Sequence, residues 1–422
     1  MRGWWLGLLL LIGLAAPAAA AEPSPELRQR ASELVRVLRG EGAPDAPFAP
    51  AFLAVIPGAQ VKAIGEQLRQ AYGTPTEITA IEARDAASGT LVVDFPKATA
   101  RIDIAIEPAA PHLITGFLIG GIEAKAETLD ALAPAFRALP GRAGAAAARL
   151  GEGAPQFVFG DKAEEPFAVG SDFKLFVLAE LVREVRAGER RWSDVVPLST
   201  RSLPSGILQA WPQGAPVTLH TLAALMISRS DNTAADALLA TLGRDKVERL
   251  LPALAVRAAA RDRPFLATRE AFLLKAGDPA RLADWRAADE AGRRRLLAGM
   301  AGTTVASLDL GRFMEKPLAI EAVEWFASPA DLVRTLDWIR KAGDRTALDI
   351  LAIEPGSPAA ARDFAYVGYK GGSEPGVLAM AYLVRRKDGG WAAAAGAWND
   401  PAAPVDPAQL PALMGRMLAL LR

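Results

Sequence analysis

Between Leu175 and Val182 seven of eight residues are apolar, with only Glu180 interrupting them. A helix of that composition has no polar face to offer water, so it belongs in a core and a domain must be packed around it. The spacing predicts this helix over Asp172–Arg186, with Gly188 as its stop. Just ahead of it stands Ser171, and Lys174 follows three residues on. Positions i and i+3 share a helix face, so the lysine amine can reach the serine hydroxyl. A serine is a weak nucleophile until a base sits beside it, and a lysine kept neutral by burial or a nearby cation is such a base. The same four residues also read as an ordinary helix start, with Ser171 as N-cap and Lys174 in solvent.

The chain opens with Met1-Arg2-Gly3-Trp4-Trp5, an apolar run from Trp4 to Leu14, and the small residues Ala15 to Ala21. This pattern predicts a cleaved leader over residues 1–21 and hence a periplasmic or secreted protein. The apolar run is shorter than the roughly 20 residues of a membrane span, so no stable span is expected after cleavage. The 422 residues suffice for two domains, and 51% hydrophobic content supports a sizeable core. With 48 basic and 48 acidic residues there is no electrostatic case for a nucleic-acid partner. No cysteine is present, which excludes disulfides, a thiol nucleophile and thiolate metal sites. The two histidines, His112 and His220, are far apart, which argues against a histidine-rich metal centre. No cofactor and no metal is expected.

Helices are predicted over Ser24–Arg39 and Ala51–Tyr72, the second broken near Pro57-Gly58. Four strands follow, at Glu77–Glu82, Thr90–Phe95, Thr99–Ile106 and His112–Ile119. Helices followed by an antiparallel meander describe a small α+β module over residues 22–122. A helix over Ala126–Ala138 and a strand pair at Gly144–Leu150 and Gln156–Gly160 lead to Ser171. Beyond the core helix lie two more helices, Thr218–Arg229 and Thr233–Leu242, with Ser230-Asp231-Asn232 between them as a polar cap. Arg261–Ala301 reads as charged and helical. Ser328 caps a further helix, with Pro329 in its first turn and Asp331 at the favourable end of its dipole. Near the end, Lys370-Gly371-Gly372-Ser373 reads on its own as a turn with a solvated lysine. A hairpin from Val377 to Trp398 and an amphipathic helix over Leu410–Arg422 close the chain.

Taken together, Ser171-x-x-Lys174, Ser230-Asp231-Asn232 and Lys370-Gly371-Gly372 occur in order, each in a fitting context. They resemble the set S-x-x-K, S-D-N and K-T-G of class A β-lactamases and penicillin-binding proteins, with Lys-Gly-Gly in place of K-T-G. The stretches around Ser230 and over Ser328–Leu336 also resemble class A β-lactamases. The resemblance covers residues 123–422 and implies a class A β-lactamase-like (DD-peptidase) fold, an antiparallel sheet flanked by helices. The two-domain layout resembles the β-lactamase-like proteins of clavulanic acid gene clusters, whose first module resembles steroid isomerase or cystatin-like folds. Fold alone implies no isomerase activity.

The resemblance implies that Ser171 is the acyl-accepting nucleophile and Lys174 its base, with Ser230 passing a proton to the leaving group. It implies that Asn232, Lys370, Gly371, Gly372 and Ser373 bind substrate, with the Ser171 and Ser373 amides as oxyanion donors. The substrate would be a small acyl compound: a β-lactam, ester or amide. Two departures stand out. Gly371 replaces a hydroxyl residue, so binding of a substrate carboxylate shifts to Ser373 or weakens. No E-x-x-L-N precedes Ser328, and Glu315, Glu321 and Glu324 are the regional candidates for a deacylating glutamate. The expected activity is therefore an exported serine hydrolase with esterase or slow β-lactamase activity. The alternatives are a peptidase or transpeptidase of cell-wall peptides, or a non-catalytic binding protein on the same scaffold.

Overall fold

The computed structural model describes residues 22–124, 128–199, 201–203, 205–303, 305, 308, 313 and 315–422. The predicted leader lies outside the described residues, as does the start of the helix expected over Ala126–Ala138. The chain divides into two compact units, Met1–Glu127 and Thr128–Arg422.

In the first unit Ser24 caps the helix Pro25–Leu38 by accepting a 3.1 Å bond from the Leu27 amide. Its buried residues Leu27, Ala31, Leu34 and Leu38 are those the helical period placed on one face. A short turn of helix, Pro50–Leu53, precedes the helix Gly58–Tyr72, so the break falls at Pro57-Gly58. Strands β1 (Glu77–Ala83), β2 (Ser88–Asp94), β3 (Ala98–Ile106) and β4 (Ile114–Ala124) pair as an antiparallel meander in that order. Along β3 the inward residues Ala98, Ala100, Ile102, Ile104 and Ile106 are buried, the period of two expected of a sheet with one covered face. The fourth strand starts two residues later than its sequence pattern suggested, because His112 adopts a left-handed backbone (φ 57°) and turns the chain.

The second unit is built on a five-stranded antiparallel sheet. Its strands are β5 (Arg142–Leu150), β6 (Gln156–Asp161), β11 (Tyr366–Glu374), β12 (Val377–Arg385) and β13 (Trp391–Asn399), in the order β11-β12-β13-β5-β6. Two-residue strands β7 (Phe167–Ala168) and β10 (Phe326–Ala327) pair with each other, as do β8 (Val195–Pro197) and β9 (Pro216–Thr218). Both sheet faces are covered. Ala146, Ala148, Ala379, Ala381, Ala393 and Ala395 face the helices Lys174–Arg186 and Pro329–Ala342 in one core. Ala145, Ala147, Met380, Tyr382, Ala394 and Trp398 face the C-terminal helix Gln409–Ala419 in the other. The alanine-rich strands keep the layers close: a β-carbon on Gly396 would stand 2.7 Å from the Met414 sulfur.

The core helix begins later than predicted. Residues Gly170–Phe173 form a 3-10 turn, and the α-helix runs Lys174–Arg186. Tertiary contacts shape that turn. The Val169 amide bonds the Trp325 carbonyl at 3.0 Å. The buried Asn399 side chain bonds the Ala168 backbone on both sides, at 2.8 and 2.9 Å. Gly170 takes a left-handed φ of 49°. A β-carbon on Gly372 would lie 2.0 Å from the Val169 oxygen and 2.5 Å from the Ser171 nitrogen. Edge strand β11 thus lies directly against the turn that carries Ser171, and only glycine at 372 permits that approach.

Gly372→Ala is expected to destabilise the second unit by about 1–3 kcal/mol or more, because the obstruction is backbone and cannot rotate away. Gly151→Ala, where a β-carbon meets nothing within 4 Å, is expected to stay within about 0.5 kcal/mol of the parent. Thermal denaturation followed by near-UV circular dichroism compares the two.

Candidate active site

Three segments far apart in sequence meet at one amine. The Lys174 side chain is fully buried, so the solvated-lysine reading does not apply, and Ser171 makes no cap bond to the helix. Lys174 Nζ lies 3.1 Å from Ser171 Oγ, 2.6 Å from the Ser230 carbonyl, 3.1 Å from Ser230 Oγ and 2.7 Å from Asn232 Oδ1. Two of these four oxygens can only accept hydrogen bonds. The Ser230 carbonyl and the Asn232 amide oxygen therefore take both N–H groups of a neutral amine. The lone pair is left for the hydroxyls of Ser171 and Ser230, which can donate.

The electrostatics favour that neutral form. Burial holds the Lys174 amine well below the ordinary lysine range, and the nearby Lys370 cation pushes it further down. Asp236 and Asp231 pull in the opposite direction without prevailing. Lys370 is itself buried and brought down to about 8, with Asp172 opposing the shift. Its Nζ lies 3.1 Å from Ser230 Oγ and also donates to the Gly371 carbonyl. The Ser230 hydroxyl thus stands between two lysine nitrogens.

The Ser230-Asp231-Asn232 corner is held from below. Ser230 has a left-handed φ of 51°, uncommon for a residue with a side chain, and the surroundings over-determine it. Ser205 Oγ donates to the Ser230 carbonyl at 2.6 Å, and the Asn232 amide group donates to the Leu203 carbonyl at 3.2 Å. Asp231 caps the helix Asn232–Leu242 through the Ala234 amide at 2.8 Å. Its other oxygen takes the amides of Ile207 and Leu208, at 2.6 and 2.9 Å. The polar cap foreseen in the sequence exists, and it also orients the Ser230 and Asn232 groups that touch Lys174.

These residues border a cleft of about 880 Å³ lined by Ser171, Ser230, Asn232, Lys370, Gly371, Gly372 and Ser373. The residues of the three motifs, Lys174 included through its contacts to Ser171, Ser230 and Asn232, are brought to one place. Neither histidine lines the cleft: His112 lies in the first unit, with Nδ1 3.0 Å from the Glu107 carbonyl, and His220 packs edge-on to Trp192. Of the regional glutamates, Glu324 lines the cleft, whereas Glu315 and Glu321 are exposed. Glu324 is not free: Lys275 Nζ sits 2.5 Å from both Glu324 and Glu374. The two carboxylates outweigh burial and raise the Lys275 amine. Burial, with Glu324 beside it, pushes Glu374 well above the usual carboxylate range. This buried cluster ties the segment before β10 to the end of β11, next to Ser373. The sequence offered no signal for it, because its three members come from separate segments. Trp325, stacked on Phe173 at 3.8 Å between ring centroids, is a second wall residue without a motif.

No curated protein matches this chain. Among solved structures it is similar to a β-lactamase from Sphaerobacter thermophilus, at 21% identity over 69% of this chain and 95% of that one, with a TM-score of 0.47. It is also similar to a β-lactamase from Chitinophaga pinensis, at 18% identity over 69% and 96%, TM-score 0.47. A structure of PBP-A gives 16% identity over 69% and 94%, TM-score 0.47. The model of the β-lactamase enzyme family matches residues 125–395. The chain belongs to the β-lactamase enzyme family.

Proposed function

We propose that this protein is a serine hydrolase that works through an acyl-enzyme, on a β-lactam, ester or amide. The observation that carries the reading is the 3.1 Å contact between Ser171 Oγ and a buried Lys174 amine whose N–H groups have other acceptors. Ser171 Oγ attacks the substrate carbonyl as its proton passes to Lys174. The oxyanion is met by the amides of Ser171 and Ser373, on the two backbones that the glycines at 170 and 372 let approach. The proton travels on through Ser230 Oγ to the departing group. That hydroxyl contacts both Lys174 and Lys370 at 3.1 Å, which supports the relay. Asn232 and Lys370 hold the substrate amide and its negative charge.

Release of the acyl group is the slow step in this reading. Among the described residues no carboxylate hydrogen-bonds Ser171 or Lys174, and the Glu324 carboxylate is held by Lys275. A long-lived acyl-enzyme fits a slow β-lactamase or an esterase, and equally a peptidase that hands its acyl group to an acceptor.

In the same reading residues 1–21 are the leader of an exported protein, 22–122 a steroid isomerase or cystatin-like module, and 123–422 the hydrolase domain. That arrangement would place the chain with the two-domain proteins of clavulanic acid clusters. No helix among the described residues is long and apolar enough to cross a membrane.

Incubation with a fluorescent penicillin is expected to label the protein covalently, and Ser171→Ala to abolish the label. An unlabelled, folded parent protein would refute the proposal, and intact-protein mass spectrometry over time reads the lifetime of the adduct.

The acylation rate should be bell-shaped in pH. It rises as Lys174 loses its proton, at a pH well below the ordinary lysine range, and falls as Lys370 loses its charge at about 8. Lys370→Met removes a like charge from Lys174, so its amine holds a proton to higher pH and the acid limb moves up. Stopped-flow acylation across pH checks both limbs.

A further inference from the structure

Position 371 is glycine, so the cleft lacks a side-chain hydroxyl there, yet the space beside it is filled. A β-carbon on Gly371 would fall 2.1 Å from the Tyr369 hydroxyl oxygen and 2.9 Å from the ring carbon that bears it. Residues 369 and 371 share a strand face in β11, and the Tyr369 ring runs along the strand to position 371. A second glycine makes room for the same ring. A β-carbon on Gly356 would lie 2.5–2.6 Å from three atoms of it, and Gly356 also has a left-handed φ of 66°. Tyr382 packs on the ring, with centroids 4.7 Å apart. Two bare backbone positions and an aromatic partner therefore form a slot fitted to one phenol.

That phenol lines the same cleft as Ser171 and Lys370. Among the described residues its hydroxyl has no hydrogen-bond partner. Burial, with the Asp172 and Glu354 carboxylates acting in the same direction, pushes its pKa up, so it remains protonated and is a donor across the working range of the site. Lys370, the next residue, brings its buried amine to the same cleft, where its Nζ donates to the Gly371 carbonyl. An unspent O–H donor in a cleft that also holds a lysine amine suits an anionic oxygen acceptor that both can reach.

We infer that the Tyr369 hydroxyl, which occupies the space that Gly371 leaves free, is a substrate-binding group that grips the carboxylate of the acyl substrate. The inference rests on the acyl-enzyme reading of Ser171. It makes Tyr369, rather than Ser373, the residue that sets the preference for substrates bearing a carboxylate. Gly371 is then the condition for the tyrosine to reach the cleft.

The test compares acylation by benzylpenicillin, which has a free carboxylate, with acylation by its methyl ester, each followed by intact-protein mass spectrometry. Tyr369→Phe keeps the ring in its slot and removes only the donor. It is expected to slow acylation by the acid about tenfold to a hundredfold, the usual effect of losing a hydrogen bond to a charged group, and to leave the ester almost unaffected. Tyr369→Ala should lose the preference for the acid in the same way. Adding Gly371→Ser to it should restore part of that preference, because a hydroxyl returns to the same space. An equal effect on acid and ester, no effect on either, or selective loss of the preference in Ser373→Ala but not in Tyr369→Phe would overturn the inference and leave the acyl-enzyme reading standing. A parent protein acylated by neither compound would end both.

Discussion

The chemistry of the cleft depends on burying one lysine. Lys174 sits in the first turn of a helix that is wholly buried from Lys174 to Val182, and removing an ammonium from water is costly unless the group is paired or gives up its proton. No carboxylate pairs with it among the described residues. Lys370 adds a like charge nearby, and the oxygens around Lys174 are two carbonyl-type acceptors and two hydroxyls. Such a shell suits a neutral amine. The energetic penalty of burial and the chemical requirement for a base are therefore met by the same event, loss of the proton.

Around that amine the fold has to hold separate segments within hydrogen-bond reach, and it uses different means for each. The Ser230 corner is fixed by side chains: Asp231 gathers three backbone amides, and Ser205 engages the Ser230 carbonyl. β11 is fixed by the absence of side chains, since Gly372 lets it lie against the Ser171 turn and Gly371 and Gly356 admit the Tyr369 ring. The segment before β10 is fixed by charge, through Lys275 between Glu324 and Glu374. Breaking a buried cluster of this kind usually costs several kcal/mol, because an unpaired charge is left behind.

Much of the architecture was legible in the sequence because it follows from periodicity. The face of Pro25–Leu38, the alternation along β3, the hairpin of β12 and β13 and the cap at Ser328 are local patterns, each fixed by residues within a few positions of one another. Of the site, Ser171, Lys174, Ser230, Asn232 and Lys370 were legible as types at suitable spacings, and Gly371 as a departure from an expected hydroxyl.

Contacts between distant segments were not legible. The tight turn at Gly170–Phe173 arises because Trp325, Asn399 and Gly372 hold that backbone, against a local pattern that favoured a helix start at Asp172. The clamp at Lys275 joins residues about 50 and 100 positions apart, and no local pattern signals such a pair. Tyr369 carried no local signal, because what admits its ring is the absence of side chains at Gly371 and at the more distant Gly356. The sequence by itself determined which groups could do acyl chemistry, because residue type sets nucleophilicity, basicity and charge. Tertiary structure decided which of them touch, whether Lys174 keeps its proton and which hydroxyl faces the cleft, because those depend on distance and exclusion of water between segments that meet only after folding.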